Sequence, residues 1–255
     1  HDNDPMAVPD KWAKAVAAAG VRRITGDLVA DDRFFDQEWI APGWPRDQLN
    51  QWYCAPVGAL SFNDNCVLLT TRGGARAGKA SMIGTTPFFK GISVINQSRT
   101  RSRRTARLRY SRRGTLTFVS SGTIGAGRTL SDHVTVGDPG LYLAKAFAAA
   151  LKKAGVAIEG KVRRAAKAEA YAGARALVIS RSSLADACKI SNKRSQNFYA
   201  EQILKTLGAE KFKTGSFANG VKAIEVFHRK IGIAEGHVTL HDGSGLSKEN
   251  LARAS

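Results

Sequence analysis

Cysteines, acidic side chains and long apolar runs are all scarce in this 255-residue sequence. The three cysteines allow at most one disulfide, and their positions lack the spacing of metal ligands. A bond between Cys54 and Cys66 is one alternative, and three buried free thiols, including Cys188, are the other. No apolar run reaches the roughly 18 residues that a membrane-spanning helix needs. The sequence therefore implies neither a disulfide-stapled scaffold nor a metal site, and it implies no organic cofactor.

Acidic residues are outnumbered, because 39 lysines and arginines face 21 aspartates and glutamates and leave a net charge of +18. A surface with that charge attracts polyanions. Nucleic acid, cell-wall polymers and anionic lipid head groups all meet this electrostatic requirement, so charge alone chooses none of them. The hydrophobic content of 43% is that of an ordinary globular protein and argues against extensive disorder.

Capping residues predict two helices in the first and middle parts of the chain. Asp10 is expected to cap a helix that ends at Gly20, where glycine can adopt the left-handed conformation. Asp138 followed by Pro139 predicts the start of a second helix, because proline suits the first helical position. That helix is expected to end before Gly155.

Strand patterns dominate residues 67–136, where short alternating runs are broken by glycine. In one predicted strand, residues 106–110, alternation places the apolar side chains on one face and Arg107 and Arg109 on the other. A turn is expected over residues 111–114. This part of the chain is predicted to be a small β-rich unit with a basic outer face.

The last part of the sequence is predicted to be helical. Ser183 and Asp186 resemble a capping box for a helix that is expected to bury Leu184 and to end near Asn192. A second helix is expected to follow Ser195. Its buried side is predicted to consist of Tyr199, Ala200, Ile203, Leu204 and Leu207.

The segment Ser195-Gln196-Asn197 lies between these two helices and forms the pattern S-x-N. A hydroxyl and a carboxamide two residues apart can point into one cleft and supply a proton relay and a substrate clamp. The pattern alone is weak, because Ser61-Phe62-Asn63 repeats it within a predicted strand and turn. A helix-capping serine and asparagine is the alternative interpretation.

Four separated stretches of the sequence carry a family likeness. They are residues 26–32, GDLVADD; residues 55–65, APVGALSFNDN; residues 192–201, NKRSQNFYAE; and residues 242–247, DGSGLS. In this order they resemble the class C low-molecular-mass penicillin-binding proteins, the D-alanyl-D-alanine carboxypeptidase and endopeptidase family. The resemblance implies a mixed α+β fold with part of a penicillin-binding domain, related to the serine β-lactamases, over residues 181–255. Residues 1–180 would form an accessory inserted region, β-rich over about 67–136.

Enzymes of this family use three motifs, S-x-x-K, S-x-N and K-T-G, and the first is absent here. No lysine has a serine three residues before it, and a serine without an adjacent base is not activated. Lys213-Thr214-Gly215 spells the third motif, but it follows Ser195 too closely and lies in a stretch that resembles a family loop between helices. The resemblance therefore implies a middle portion that is inactive as written.

In the intact site, the resemblance implies distinct catalytic roles for Ser195 and Asn197. The Ser195 hydroxyl would pass a proton between the nucleophile and the departing D-alanine amine, and the Asn197 amide would hold the substrate carbonyl and the lysine of S-x-x-K. The implied protein is a periplasmic or extracellular serine-type peptidase that acts on peptidoglycan stem peptides through an acyl-enzyme and is acylated by β-lactams. Residues 1–5 do not resemble a secretory leader, which is expected to have been removed or not included.

Two further clusters are predicted to bind substrate. Trp44, Asp47 and Trp52 resemble an aromatic-plus-acid patch of the family, and Leu246 and Lys248 follow the Asp-Gly-Ser-Gly turn. An acid opposite a base suits a stem peptide whose third residue ends in both an amine and a carboxylate. Asp47 would bind the ammonium and Lys248 the carboxylate. Core aromatics and a solvated lysine are the alternative.

A dense basic run is the last feature, with eight arginines within the 15 residues from Arg99 to Arg113. It predicts contact with an anionic polymer that weakens steeply with salt, and a solvated basic face is the alternative. Two rival functions remain open. One is a non-catalytic cell-wall-binding module, and the other is a nucleic-acid-binding protein that uses Arg107 and Arg109.

Overall fold

The computed structural model describes residues 4–102 and 105–253, which contain five α-helices and twelve β-strands. The helices are α1 (Ala7–Ala18), α2 (Pro139–Lys153), α3 (Leu184–Arg194), α4 (Asn197–Phe212) and α5 (Phe217–Lys230). The strands are β1 (Arg23–Ile24), β2 (Leu28–Ala30), β3 (Cys66–Arg72), β4 (Met82–Thr86), β5 (Ser93–Arg101), β6 (Ala106–Arg113), β7 (Thr117–Gly125), β8 (Thr129–Thr135), β9 (Ala157–Ile158), β10 (Val162–Arg164), β11 (Val238–Thr239) and β12 (Leu251–Ala252). Of the described helices, none combines the length and apolar character that crossing a bilayer requires. Arg103 and Arg104, two of the eight arginines in the basic run, lie outside the described residues.

Helices α1 and α2 pack together beside two short parallel sheets, β1 with β9 and β2 with β10. The rings of Trp12 and Phe147 meet edge to face across the helix pair, with centroids 6.0 Å apart. The core of this layer consists of Ala13, Val16, Ala150, Leu151 and Val156. Apolar burial therefore holds the two helices together.

The predicted cap of α2 is confirmed. The Asp138 side chain accepts a hydrogen bond from the Leu141 N–H at 2.9 Å, and Pro139 is the first helical residue. Gly20 and Gly155 follow their helices with positive φ values of 87° and 80°. Both glycines therefore sit where a side chain would strain the backbone.

The predicted cap of α1 is wrong. The helix begins at Ala7, and Asp10 lies in its first turn, where its carboxylate pairs with Lys153 at 2.5 Å. The helix can start this early because Pro9 falls in the first turn, where a missing N–H costs no hydrogen bond. A capping residue type alone did not locate the start.

The strands predicted for residues 67–136 are present and form two three-stranded sheets, ordered β4-β3-β8 and β5-β7-β6. Strand β7 is central in the second sheet, parallel to β5 and antiparallel to β6. The core between the sheets and α2 includes Val67, Leu69, Phe118, Val134 and Tyr142. The turn between β6 and β7 covers residues 114–116 instead of 111–114, because strand pairing continues to Arg113 opposite Thr117.

Ser183 caps α3 as predicted, because its hydroxyl accepts a hydrogen bond from the Asp186 N–H at 3.4 Å, but the reciprocal bond of a capping box is not among those of the described residues. The helix continues to Arg194, two residues beyond the predicted end. Leu184 is 66% exposed, so its predicted burial is wrong. The capping side chain fixes where a helix starts but not which side it buries.

The buried side of α4 differs from the predicted one. Leu204 is buried as expected, but Leu207 is 40% exposed, and Glu201 and Lys205 are fully buried instead. Each buried charge has hydrogen-bond partners on a neighbouring segment, which removes most of the cost of its burial. The buried side of α4 therefore includes two charged residues that the apolar pattern of its sequence did not predict.

The segment from Phe35 to Phe62 packs against α4 and α5. Their shared core contains Ala41, Trp44, Cys54, Val57, Leu204 and Phe217. Gly215, just before α5, pairs with Phe35 in a short parallel bridge. The domain division at residue 180 stays a prediction, and these contacts cross it.

The three cysteines are free thiols. Cys54 and Cys66 are buried and Cys188 is partly exposed. Burial raises the pKa of Cys54 to about 11, so this thiol stays protonated at neutral pH. The structure thus agrees with free thiols and not with a Cys54–Cys66 disulfide.

Candidate functional site

The S-x-N segment forms the junction between α3 and α4. Ser195 has a left-handed backbone, with φ 50° and ψ 48°, and its side chain is exposed. Asn197 is the first residue of α4, and its side-chain amide donates a hydrogen bond to the Tyr53 carbonyl at 3.0 Å. Gln196 between them donates to Asp64 at 3.1 Å. The junction therefore fixes the carboxamide and leaves the hydroxyl at the surface.

Ser61, the serine of the second S-x-N sequence, has a structural role. The Ser61 hydroxyl donates to the Gly58 carbonyl at 3.0 Å and lies 2.8 Å from the Gln202 amide and 3.1 Å from the Asn65 amide. Asn65 is fully buried. This serine ties a tight turn to α4, and its hydrogen bonds leave no free hydroxyl for chemistry.

Asp64 lies in that turn and faces the S-x-N junction through Gln196. Burial raises the pKa of the Asp64 carboxyl, although the hydrogen bond from Gln196 opposes the shift. A partly buried carboxyl is thus hydrogen-bonded to Gln196, the residue that follows Ser195.

Glu201, one turn along α4, binds the backbone of the Asp-Gly-Ser-Gly turn. Its two carboxylate oxygens accept hydrogen bonds from the N–H groups of Gly243 at 2.8 Å and Ser244 at 2.9 Å. Burial raises the pKa of Glu201 to about 7, although these hydrogen bonds favour the ionised form. The turn is therefore attached directly to the helix that carries Asn197.

Asp242 organises the same turn from inside and is 1% exposed. Its carboxylate accepts hydrogen bonds from the N–H groups of Gly245 at 2.9 Å and Ser247 at 2.6 Å, and from the Asn250 amide at 2.6 Å. The indole N–H of Trp44 donates to the same carboxylate at 2.8 Å. The Ser244 hydroxyl donates to it as well, at 3.4 Å, so a single buried acid accepts hydrogen bonds from five donors.

The structure brings three of the predicted substrate-binding residues together at this turn. Trp44 is 3% exposed and supports Asp242 from the core. Leu246 packs against the same core, and the backbone N–H of Lys248 donates to the Gly43 carbonyl at 3.4 Å. The burial of Trp44 and the exposure of Lys248 are both compatible with the alternative interpretation of a core aromatic and a solvated lysine, and the substrate-binding roles stay predictions.

Asp47 and Trp52 lie on the neighbouring segment. Trp52 is 40% exposed and meets Tyr53 edge to face at 5.7 Å, next to the carbonyl that binds Asn197. Asp47 is exposed at the edge of a groove of about 500 Å³ between this segment and strands β6 and β8. Within the described residues, neither Asp47 nor Lys248 forms an ion pair.

Lys205 is a buried residue that the sequence patterns did not reveal. Its ammonium donates to Asp36 at 2.6 Å and to the Glu38 carbonyl at 2.8 Å, and it lies 4.7 Å from the centre of the Phe217 ring. Burial lowers the pKa of Lys205, and Asp36 opposes the shift. Glu201 and Lys205 four residues apart usually indicate an exposed helical pair, so spacing alone gave no signal.

Lys213 lies in the connection between α4 and α5, where it ends α4 with φ 65°. This position agrees with the prediction that Lys213-Thr214-Gly215 belongs to a loop between helices. Gly215 packs directly against the Phe35 ring, which leaves no room for a side chain. The segment therefore has a packing role.

A comparison with protein families identifies the family of this chain. A model described as the D-Ala-D-Ala carboxypeptidase 3 (S13) family matches residues 8–255. The chain belongs to this family. The D-alanyl-D-alanine carboxypeptidase of Actinomadura sp. (strain R39) is 28% identical, over 96% of this chain and 47% of its own length. The D-alanyl-D-alanine carboxypeptidase DacB of Haemophilus influenzae is 25% identical, over 91% and 49%.

Solved structures show the same fold. Penicillin-binding protein 4 (dacB) from Haemophilus influenzae superimposes with a TM-score of 0.83 at 24% identity, over 95% of this chain and 54% of that one. The same protein complexed with a β-lactam gives a TM-score of 0.74 at 22% identity, over 97% and 53%. The S13 chain described here thus spans about half the length of the relatives it matches. The predicted family and mixed fold are confirmed.

In this S13 chain, Trp44→Phe is expected to lower the free energy of unfolding by about 2 kcal/mol. The substitution removes the indole donor to the buried Asp242 carboxylate, and hydrogen bonds to charged groups are worth about 1.5–3 kcal/mol. Denaturant unfolding measures the change. Trp39→Phe is the matched control, because the Trp39 indole N–H is buried without a hydrogen-bond partner among the described residues. Equal losses in both variants would contradict the role of Trp44.

The stability of the chain is expected to depend on pH through Glu201. Its carboxyl ionises at about pH 7 in the folded state and near 4.5 when unfolded, so stability falls as pH rises between these values, because the unfolded state releases its proton first. The loss amounts to about 3 kcal/mol. Glu201→Gln should remove it, although the amide cannot accept from both backbone N–H groups.

Urea unfolding of the wild type and of Glu201→Gln at pH 4 to 8 measures the difference between them, in which the other titrating groups cancel. Glu210→Gln, an exposed change on the same helix, is the matched control. A wild-type minus Glu201→Gln difference that stays constant over this range would show that burial does not raise the pKa of Glu201.

Proposed function

We propose that this chain is part of a serine-type D-alanyl-D-alanine carboxypeptidase or endopeptidase that acts on peptidoglycan stem peptides through an acyl-enzyme. The observation that carries the proposal is the α3–α4 junction of an S13 chain, where an exposed hydroxyl and a fixed carboxamide lie two residues apart. Peptidoglycan lies outside the cytoplasm, so the proposed location is periplasmic or extracellular.

Ser195 is proposed to carry the proton. When the nucleophile attacks the carbonyl between the two D-alanines, its proton passes through the Ser195 hydroxyl to the amine of the departing D-alanine. Such a relay typically contributes about 10²–10⁴-fold to the rate. The exposed side chain of Ser195, at the junction between two helices, suits this role.

Asn197 is proposed to hold the substrate. Its side-chain nitrogen is bound to the Tyr53 carbonyl, which fixes the orientation of the amide. The remaining amide groups can contact the substrate backbone and the lysine that activates the nucleophile. The mechanism needs this lysine and a nucleophilic serine in addition to the residues of this chain, because no serine stands three residues before any lysine in it.

Substrate recognition is proposed to use the two exposed charges. Asp47 would bind the amine and Lys248 the carboxylate of a diamino acid in the stem peptide, with Trp52 and Leu246 providing apolar contact. Both charges are free of ion pairs within the described chain. Trp44 would act indirectly, by supporting the Asp242 turn on which Leu246 and Lys248 lie.

The test is D-alanine release from a stem pentapeptide by the full-length gene product, together with labelling by fluorescent penicillin. We expect both activities, and we expect the label to abolish D-alanine release because the β-lactam occupies the nucleophile. Release without labelling would exclude the acyl-enzyme mechanism. Absence of both activities would overturn the peptidase assignment and favour the non-catalytic wall-binding alternative.

A further inference from the structure

The basic charge of the protein is concentrated in the β-rich unit. From Asn65 to Ser131 the sequence contains 13 of the 39 lysines and arginines and none of the 21 aspartates and glutamates. This stretch of 67 residues therefore carries +13 of the net charge of +18. A charge so strongly separated creates a local field that the average composition hides.

The strand register places arginines on both sides of the central strand β7. Thr123 on β7 lies between Arg99 on β5 and Arg107 on β6, and Ser121, two residues earlier, neighbours Arg109 on β6. Directly paired residues project from the same face of a sheet, as do alternate residues of one strand. Arg101 and Arg113 occupy further positions on this face. We call it the arginine face, and its arginines are Arg99, Arg101, Arg107, Arg109 and Arg113.

The opposite face of the same sheet is buried, which leaves the arginine face towards solvent. Ser98, Thr100, Phe118, Ser120 and Ile124 are all less than 9% exposed, whereas the five arginines are exposed. The predicted separation of arginines from apolar residues on β6 is thereby confirmed. Within the described part of the chain, none of the five arginines forms an ion pair.

The geometry forms a shallow channel along β7. Strands lie about 4.8 Å apart and rise about 3.3 Å per residue, so arginine backbones are about 10 Å apart across β7 and about 7 Å apart along a strand. These separations are close to the Debye length of about 8 Å, so the charges repel one another in physiological salt. The short side chains of Ser121 and Thr123 leave the space between the arginines open. A linear polyanion in this channel would relieve the repulsion.

We propose that the arginine face binds a linear polymer of polyol phosphate, in which phosphodiesters carry the charge and no bases are attached. Guanidinium groups bind phosphate through two parallel hydrogen bonds. Proteins that bind single-stranded nucleic acid stack its bases on aromatic side chains, but the aromatic residues of this sheet, Tyr110 and Phe118, belong to its inner face. The arginine face also presents no α-helix of the kind that enters the major groove of DNA.

Binding at the arginine face is independent of catalysis, because this face belongs to the β5-β7-β6 sheet whereas the S-x-N junction lies between helices α3 and α4. A failed binding test leaves the proposed peptidase intact, and a failed peptidase test leaves the binding surface intact. The two can therefore be judged separately.

The experiment measures binding of the 255-residue protein to purified poly(glycerol phosphate) at several salt concentrations. We expect Arg107→Ser with Arg109→Ser to raise Kd about tenfold or more and to lower the slope of log K against log salt by about 1–2, because two phosphate contacts are lost. Arg175→Ser with Arg181→Ser is the matched control. It removes the same charge from exposed positions outside the sheet and should change Kd less than about twofold.

Arg107→Lys with Arg109→Lys provides a second variant that keeps the charge and the fold of the sheet. It should bind with an intermediate affinity, because lysine lacks the two-pronged contact with phosphate. If the control pair raises Kd equally, binding depends on the overall charge of the protein and not on the arginine face. Tighter binding of a single-stranded oligonucleotide, or of inorganic polyphosphate, at the same salt would assign the face to that polymer. No binding at low salt would leave a solvated basic face.

Discussion

Asp242→Ala should lower the free energy of unfolding by about 5 kcal/mol, the largest stability effect expected in this chain. The substitution leaves the buried donors of Trp44 and Ser247 without their acceptor, and it removes the acceptor of three partly buried donors, from Ser244, Gly245 and Asn250. Each unsatisfied buried donor costs about 1–3 kcal/mol, and losses above 4 kcal/mol occur where such networks break. Denaturant unfolding of the purified chain measures the change.

Asp242→Asn separates the role of shape from that of charge. The amide keeps one acceptor but points its NH₂ group at donors that the second oxygen had satisfied, so we expect a loss of about 3 kcal/mol. The exposed Asp47→Ala, which breaks no hydrogen bond within the described residues, should change stability by less than about 0.5 kcal/mol. A loss for Asp242→Ala as small as that of the control would mean that water replaces the carboxylate.

The turn that Asp242 organises could be located from the sequence but not explained by it. The letters DGSGLS indicated a family turn, and the structure shows why each donor points inward. The contribution of Glu201 was invisible, because its partners are backbone N–H groups about 40 residues away. Side-chain patterns do not record such contacts, since any residue type can supply a backbone donor.

Local signals in the sequence predicted local structure well. The Asp138-Pro139 cap, the glycines after the helices and the alternation on β6 all depend on neighbouring residues, and the structure confirms them. The buried side of α4 depends on distant segments instead. Lys205 is buried because Asp36 and the Glu38 carbonyl surround its ammonium, and no helical period contains that information.

The candidate site shows the same division. The position of Ser195 and Asn197 between two helices followed from caps and apolar spacing, and the structure has them there. The family resemblance assigned both tryptophans to one patch and did not predict that their exposed fractions differ. Trp44 is in the core, where its indole donates to the buried Asp242 carboxylate, whereas Trp52 is 40% exposed.

Ser195→Ala should reduce D-alanine release by the full-length gene product about 10²–10⁴-fold, the range of a lost proton relay. The same variant should change the stability of this chain by less than about 0.5 kcal/mol. The Ser195 hydroxyl forms no hydrogen bond within the described residues, and alanine and serine tolerate the left-handed backbone equally poorly. Activity and unfolding, measured on the same variant, separate a chemical role from a structural one.

Ser195→Gly is the matched variant for this experiment. Glycine adopts a φ of 50° without strain, so it should stabilise the junction by about 0.5–1 kcal/mol while losing as much activity as alanine. Equal losses of activity in two variants that differ in stability would be explained by the missing hydroxyl and not by a change in stability. Retained turnover in either variant would remove Ser195 from the proton path.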